Sequence, residues 1–416
     1  MTDRTPGVWY RGHVLRSPKL WRATTHRACS PEQTLRRIEP ALASAGVTRL
    51  ADITGLDRVG VTVVTATRPN AKSLAAAAGK GFDTVAATVS ACMEAIELHH
   101  AENAEVAVEV GSSRSLARRA NVIDAARLPL VRSSVWTPDA MLPWTIGFDL
   151  VAQRDTLVPL ELVCLPNQEV PLLRAGGHLF QAGSNGLASG NSFLEALCAA
   201  LYEVIERDAH ALANFAEAEL GEPAARVDVT ALDYPLVVDL RERLRASGQH
   251  LVVRDVTSDI GVPCYTALIL DALERNVGAH AGYGCHLDPQ IAMIRAITEA
   301  VQSRAIYIAG ARDDLYTLEF RRWKRGDTAT SAQRLLEAAA PQAPTRADGS
   351  GDSFEADVAT LLARLAAVGC DEVVVVDLSS KEFSIPVVKV IVPGLEGYAD
   401  FANYAPGARA LARRAA

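Results

Sequence analysis

The segment from Ser184 to Ala209, SNGLASGNSFLEALCAALYEVIERDA, constrains this chain more than any other. Glycines and small polar residues open it, and a long apolar run follows. On a helix turning 100° per residue, Asn191 lies at about −40° from Glu195, Glu206 at about +20° and Glu203 at about +80°. Phe193, Leu197, Leu201, Val204 and Ile205 fill the opposite side and can bury it. Like charges on one helix face repel. They are tolerated where the face is solvated or where cations sit on it, and the segment contains no lysine.

Two further stretches share this character. In TVSACMEAIELHHAEN, Ser90, Glu94 and Glu97 follow at i, i+4 and i+7, with Glu102 beyond. In MIRAITEAVQSRAIYIA, Glu299 and Gln302 stand at i, i+3, with Arg295 and Arg304 nearby. Any one of these helices alone reads as an ordinary solvated face. Three converging helices would instead build an acidic cavity for hard divalent cations. Magnesium takes oxygen ligands and bridges to phosphates. Asn191, Arg207 and Gln302 would then contact a nucleotide or orient ligands. The glycine-rich stretches GKG (79–81), SNGLASGN (184–191) and GYGC (282–285) would let backbone approach a ligand, and helix N-termini favour anions. No P-loop is present: AAAAGKG lacks the first glycine and the Ser or Thr after the lysine, and GYGCHL fails GxGxxG.

Composition narrows the field. The 416 residues carry a formal charge of −7, without the basic surplus of a sequence-independent nucleic-acid binder. No stretch approaches the roughly 20 apolar residues of a membrane span. MTDRTPGVWYRGHVLR lacks the apolar core of a secretory signal, so a cytoplasmic protein is expected. Cys29, Cys92, Cys164, Cys198, Cys264, Cys285 and Cys370 are scattered, odd in number and never spaced CxxC, which argues against disulfides or structural zinc. Cys92, Cys285 and the histidines His99, His100 and His210 read as packing or surface residues; His286 lies beside the third acidic helix.

The pattern predicts helices over 30–46, 84–103, 192–215 and 289–309. Strands are expected at 60–68, 159–164, 178–182, within 250–270 on either side of a Gly261–Pro263 turn, and at the runs DEVVVVDLS and IPVVKVIVPG. GYGCHLDP reads as a loop, and 340–353, rich in Pro, Gly, Ser and Asp, as a mobile surface loop. The mixture implies an α/β or α+β architecture.

Three motifs, SACMEAIE, SNGLASGN…EAL…AL.EVIERDA and GYGCHLDP…RAITEAVQSR, resemble those of the YcaO family, ATP-dependent enzymes that activate peptide backbone amides. The resemblance runs from roughly 22 to 400. It implies a YcaO-type fold with mixed sheets, and helices carrying the ATP and Mg2+ site. It also implies three parts: a segment 1–60 contributing to the nucleotide site, a catalytic domain 61–400, and a tail 401–416 without PxPxP. Glu94, Glu97, Glu195, Glu203 and Glu206 match the family's magnesium ligands. Ser90, Asn191 and Arg207 match nucleotide contacts. Glu299 and Gln302 match the third ATP-binding segment, Glu299 taken as a further metal ligand. Arg27 and Thr34 fall where the family places a basic residue and a hydroxyl near the phosphates. Leu98 stands where many members have arginine.

THRACSPEQTL and the text to GKG81 look like stand-alone members that accompany TfuA-type partners and form thioamides. The ending FANYAPGARALARRAA has one proline, unlike the PxPxP tail of azoline-forming relatives. The resemblance thus implies a peptide or protein substrate, a TfuA-like partner and a homodimer. An azoline- or amidine-forming cyclodehydratase and a non-catalytic ATP-binding accessory protein are the alternatives. No catalytic residue is singled out.

Overall fold

The computed structural model describes residues 7–165, 178–271, 277–312, 342, 346–398 and 404–414. Among them are eight α-helices: α1 (Pro31–Ile38), α2 (Thr84–Glu102), α3 (Ser113–Leu116), α4 (Phe193–Phe215), α5 (Pro235–Ala246), α6 (Pro289–Ala309), α7 (Phe354–Ala367) and α8 (Ala408–Arg413). Strands are numbered in chain order. Two short hairpins lead, β1 (Val8–Tyr10) with β2 (His13–Leu15) and β3 (Trp21–Arg22) with β4 (His26–Arg27). A three-stranded antiparallel sheet follows, β5 (Arg49–Asp52), β6 (Thr62–Thr67) and β7 (Ala76–Gly81).

The central six-stranded sheet comprises β8 (Glu109–Gly111), β9 (Leu142–Asp149), β10 (Arg154–Pro159), β11 (Leu187–Ser189), β16 (Val374–Asp377) and β17 (Val387–Ile391), in the order β10-β9-β16-β17-β11 with β8 on β9. A four-stranded sheet runs β12 (Ala225–Arg226), β13 (Gln249–Asp255), β14 (Cys264–Asp271) and β15 (Ala279–Cys285).

The valine runs explain the middle layer. Strand side chains alternate between faces. Val375, Val388 and Val390 pack with α4 and α7, whereas Val374, Val376, Val387 and Ile391 pack with α2, Trp144 and Phe180. Both faces are covered, so the strands are continuously apolar except at Lys389 and the exposed terminal Asp377. The flanking sheets each lay a helix on one face, α2 against β6–β7 and α6 against β14–β15.

Local chemistry sets the helix starts. Ser30 and Gln33 form a capping box on α1. Asp83, Ser192, Asp288 and Ser353 accept backbone N–H bonds at the starts of α2, α4, α6 and α7. The helix expected over 30–46 is shorter, because Pro40 ends the α-helical ladder and the chain passes into a 3₁₀ turn, Glu39–Ala41. The strand expected at 159–164 ends at Pro159 and becomes a 3₁₀ turn. At 178–182 only an isolated bridge, Phe180 to Leu130, forms. GYGC is strand rather than loop: it is the end of β15, paired along its length with β14. Of the expected mobile loop 340–353, the part 346–353 is tied down by Arg346 on Asp255, Gly349 N–H on Leu287 O and Gly351 N–H on Asp357. Most of 340–345 lies outside the described residues.

Candidate functional site

Three helices present the same spacing. Eleven residues past the caps Asp83, Ser192 and Asp288 stand Glu94, Glu203 and Glu299; fourteen past stand Glu97, Glu206 and Gln302. Eleven residues are about three turns, so these groups return to the face of the cap at equal depth.

Gly79 and Gly284 make this geometry possible by letting the helices pack closely on the strands. A Cβ on Gly79 would lie 2.1 Å from Ala87 O and Ala91 N; on Gly284 it would lie 2.0 Å from Ala292 O. Both glycines sit four residues before the cap of the helix they touch. One residue earlier, the Ala78 N–H donates to Glu94 at 3.3 Å and the Tyr283 N–H to Glu299 at 3.4 Å.

The twelve residues matched to metal or nucleotide binding line one cavity of about 850 Å3: Arg27, Thr34, Ser90, Glu94, Glu97, Asn191, Glu195, Glu203, Glu206, Arg207, Glu299 and Gln302. The units interlock. The Ser189 N–H of β11 donates to Glu97 of α2 at 2.7 Å. From β7, Lys80 donates to Glu299 and to Gln302 of α6, each at 2.9 Å, and Gln302 returns a bond to Ala78 O. The N-terminal segment closes one wall. Arg27 lies 3.5 Å from Glu195, the Ala28 N–H donates to Glu195 at 2.9 Å, and Thr34 Oγ1 donates to Asn191 Oδ1 at 2.9 Å. Asn191 in turn donates to Glu195.

Electrostatics divides the carboxylates. Burial pushes Glu94 up to about 7 despite Lys80, and Glu203 up to about 7 despite Arg207. Burial also raises Glu206, and raises Glu97 well above the usual range, with Glu203 and Glu94 adding to the latter. Glu299 differs: burial would raise it, but Lys80 and Arg207 outweigh burial and hold it below its ordinary value. Glu94, Glu97, Glu203 and Glu206 therefore face one another with too little positive charge, while Glu299 already has its cation. Such a set of convergent oxygen donors, buried and short of cation, fits Mg2+.

Other acidic and basic candidates fall elsewhere. Glu102 is buried against Arg68 and Ser73, away from the cavity. Arg304 bridges Asp57 and Asp271 beneath the flanking sheets. His99 and His100 pack on Phe383, and His210 on Tyr283. Cys92 and Cys285 are fully buried. His286 joins His26 and Asp357 in a cluster whose ligand atoms lie within 4.8 Å of one another. The place of a cation there is taken by Lys19, which bonds Asp357 at 2.6 Å, Gly351 O at 2.9 Å and His26 Nδ1 at 3.1 Å.

Sequence reasoning missed three residues of this cavity and a lysine buried close to its carboxylates. Lys80 was hidden in a GKG read only for its glycines. Tyr283 and Tyr398 line the cavity without a motif of charge spacing to mark them as partners, while Arg295, named beside Glu299, lines it too. Lys389, buried on β17, is held down to about 8 by burial, while Glu203 and Glu97 pull it back up. A lone lysine inside VVKVIV was the available signal, since lysine is rarely buried unpaired.

The family model described as "YcaO cyclodehydratase, ATP-ad Mg2+-binding" matches residues 78–396. A protein of Rhizobium leguminosarum bv. trifolii, named only as uncharacterized and in the tfuA 3' region, is 35% identical over 382 residues, 89% of this chain and 88% of that one. An uncharacterized protein of Methanothermobacter thermautotrophicus is 35% identical over 377 residues, 89% and 95% of the two chains. Among solved structures, YcaO from Methanopyrus kandleri bound with AMPPCP and Mg2+ has a TM-score of 0.73 at 24% identity, covering 94% of this chain and 98% of that one. A heterocyclase in complex with substrate and cofactor has a TM-score of 0.77 at 22% identity; the match covers 95% of this chain but spans only 55% of the heterocyclase. The chain belongs to the YcaO family. ATP and Mg2+ are its cofactors, as the family model describes. Among the described residues, no helix is long and apolar enough to cross a membrane.

Proposed function

We propose that this protein activates a peptide backbone amide by phosphorylating its oxygen with ATP, and that it installs a thioamide from an external sulfur source together with a TfuA-like partner. The observation that carries the reading is the convergence of Glu94, Glu97, Glu203 and Glu206, buried and short of positive charge, in one cavity beside Arg207, Arg295 and Asn191. The relative in a tfuA 3' region supports the choice of partner.

An amide oxygen is a poor leaving group. A hydrosulfide-type nucleophile adds to the carbonyl carbon, forming the C–S bond. The oxyanion then takes the γ-phosphoryl group, releasing ADP. Loss of phosphate and the thiol proton leaves C=S. Bound Mg2+ supplies charge neutralisation for the triphosphate. The chain's own residues hold the rest in place. Glu94, Glu97, Glu195, Glu203, Glu206 and Glu299 would hold Mg2+, with Glu195 also fixing Arg27 and Asn191 and Glu299 shared with Lys80. Arg27, Thr34, Ser90, Asn191, Arg207 and Gln302 would contact the nucleotide, and Glu299 with Gln302 holds Lys80 in the same cavity. Catalysis by this scheme is positioning and electrostatics.

The test is mass spectrometry of purified protein with partner, peptide, sulfide and Mg-ATP. The reading expects a product heavier by the difference between sulfur and oxygen, with one phosphate released per modification. A product lighter by one water would make the protein a cyclodehydratase. Nucleotide binding without peptide-dependent hydrolysis would make it an accessory protein.

A further inference from the structure

Arg207 is enclosed by two aromatic rings: its guanidinium carbon lies 4.9 Å from the centre of Tyr398 and 5.5 Å from that of Tyr283. Glu203, Glu206 and Glu299 all pull on this cation. Yet its ion pair to Glu206 is 3.8 Å long, outside hydrogen-bond distance. Stacking on aromatic faces holds a guanidinium without consuming its N–H donors. An Arg207 collapsed onto Glu206 would neutralise a carboxylate the metal needs and would turn its donors away from the cavity.

Tyr283 comes from β15, but Tyr398 comes from the C-terminal part of the chain, and its position is heavily determined. The amide of Gln181 grips its backbone on both sides: Tyr398 N–H donates to Gln181 Oε1 at 2.6 Å, and Gln181 Nε2 donates to Tyr398 O at 2.7 Å. Two residues earlier, Glu396 is almost fully buried and ties three groups of the following segment: Tyr404 O–H at 2.8 Å, Gly407 N–H at 2.8 Å and Ala410 N–H at 2.9 Å. Its own N–H donates to Asp208 at 2.9 Å. Asp208, adjacent to Arg207 on α4 and wholly buried, also receives Arg409 of α8 through Nε at 2.9 Å and a second nitrogen at 3.1 Å. Arg409 reaches on to Asp259. Burying two carboxylates and an arginine is costly unless all are bonded. The network is spent on fixing one short stretch, 396–398, against the helix that carries Arg207.

We infer that Tyr398 is a positioning residue for Arg207. The Glu396–Asp208–Arg409 clip makes the C-terminal segment part of the frame of the nucleotide site. The inference rests on the reading of Arg207 as a nucleotide contact. No bond to the ligand is assigned to Tyr398 itself; it acts through the arginine.

The experiment is calorimetry of the full chain with Mg2+ and AMPPCP, on the parent and on Tyr398→Leu, Tyr398→Phe, Arg409→Ala and Arg207→Ala, each checked by thermal melting. Tyr398→Leu keeps bulk without a π face, and weakens binding roughly tenfold, the scale of a partly desolvated cation–π contact. Tyr398→Phe keeps the ring and restores binding relative to leucine. Arg409→Ala loosens the clip and shifts affinity in the same direction as Tyr398→Leu. A Tyr398→Leu protein that binds like the parent while Arg207→Ala binds weakly overturns the positioning role and leaves the nucleotide reading intact. A Tyr398→Phe protein as weak as Tyr398→Leu also overturns it, because the hydroxyl would then be the active part. An Arg207→Ala protein that binds like the parent overturns the nucleotide reading, and this inference with it.

Discussion

Glu94 and Glu299 occupy equivalent positions: each lies eleven residues past its helix cap and accepts a hydrogen bond from the backbone N–H five residues before that cap, Ala78 for one and Tyr283 for the other. The resemblance stops at charge. Lys80 sits on Glu299 at 2.9 Å, whereas burial leaves Glu94 up at about 7.

Removing an under-compensated carboxylate therefore has two opposite consequences. A carboxyl whose folded value is raised costs nothing well below its ordinary value of 4.5 and costs most above the folded value. Glu203→Gln stabilises the nucleotide-free protein at pH 8 by on the order of 1–3 kcal/mol. The same change weakens Mg-nucleotide binding by at least about a hundredfold, as loss of a metal ligand should. Chemical denaturation and calorimetry on one preparation check both signs. A variant less stable than the parent and equally able to bind would contradict the assignment.

Glu102 gives the contrasting result. It lies on the same helix, but its carboxylate is consumed by Arg68 and Ser73. Glu102→Gln leaves Arg68 buried and unpaired, and costs roughly 3–5 kcal/mol. Affinity for Mg-AMPPCP at a temperature where the variant is folded stays within about twofold, within the scatter expected for a distant, independent site. Melting curves and titrations distinguish the two glutamates directly.

Gly79→Ala and Gly284→Ala place a methyl group within about 2 Å of helix backbone atoms. Backbone cannot move aside as a side chain can, so each loses more than the roughly 1–3 kcal/mol of ordinary overpacking. Thermal melting or soluble yield reports it. Gly12→Ala, at a turn with open space around it, is strained only by its φ of +82° and serves as the mild comparison.

The acidic limb of stability has a named contributor. Burial holds His280 down to about 4, with Arg304 adding to burial and Asp271 opposing; its Nε2–H donates to Val277 O, and its ring packs on Tyr307. The unfolded chain takes up this proton near pH 6.5 and the folded one only near 4. Its contribution is therefore complete above about 6.5 and is lost as pH falls toward about 4. His280→Gln flattens the stability profile across that window, by up to about 3 kcal/mol at its acidic end. Denaturation midpoints measured at several pH values show whether the slopes differ.

The carboxylates were legible in the sequence because their spacing matches the helical repeat, and that periodicity survives any tertiary arrangement. The four long helices were legible for the same reason. What escaped reading depends on contacts between distant segments. GYGC looked like a loop because its glycines are turn residues in isolation; only the helix lying on β15 shows that they are there to admit α6. Tyr398 reaches the cavity, and Lys389 comes close to Glu97 and Glu203, from segment and strand positions remote in sequence from α2, α4 and α6. The lone lysine in VVKVIV signals that it has partners but not which ones, and no local pattern marks the tyrosine. Leu98, where many members carry arginine, packs into the core around α2.

The most direct test is where the metal goes. Crystals grown with AMPPCP and Mn2+ in place of Mg2+ locate the ion by its anomalous scattering. The account predicts density within coordination distance of carboxylates from both α2 and α4, drawn from Glu94, Glu97, Glu203 and Glu206. Density at His26, His286 and Asp357 instead, or none near these two helices, would contradict it.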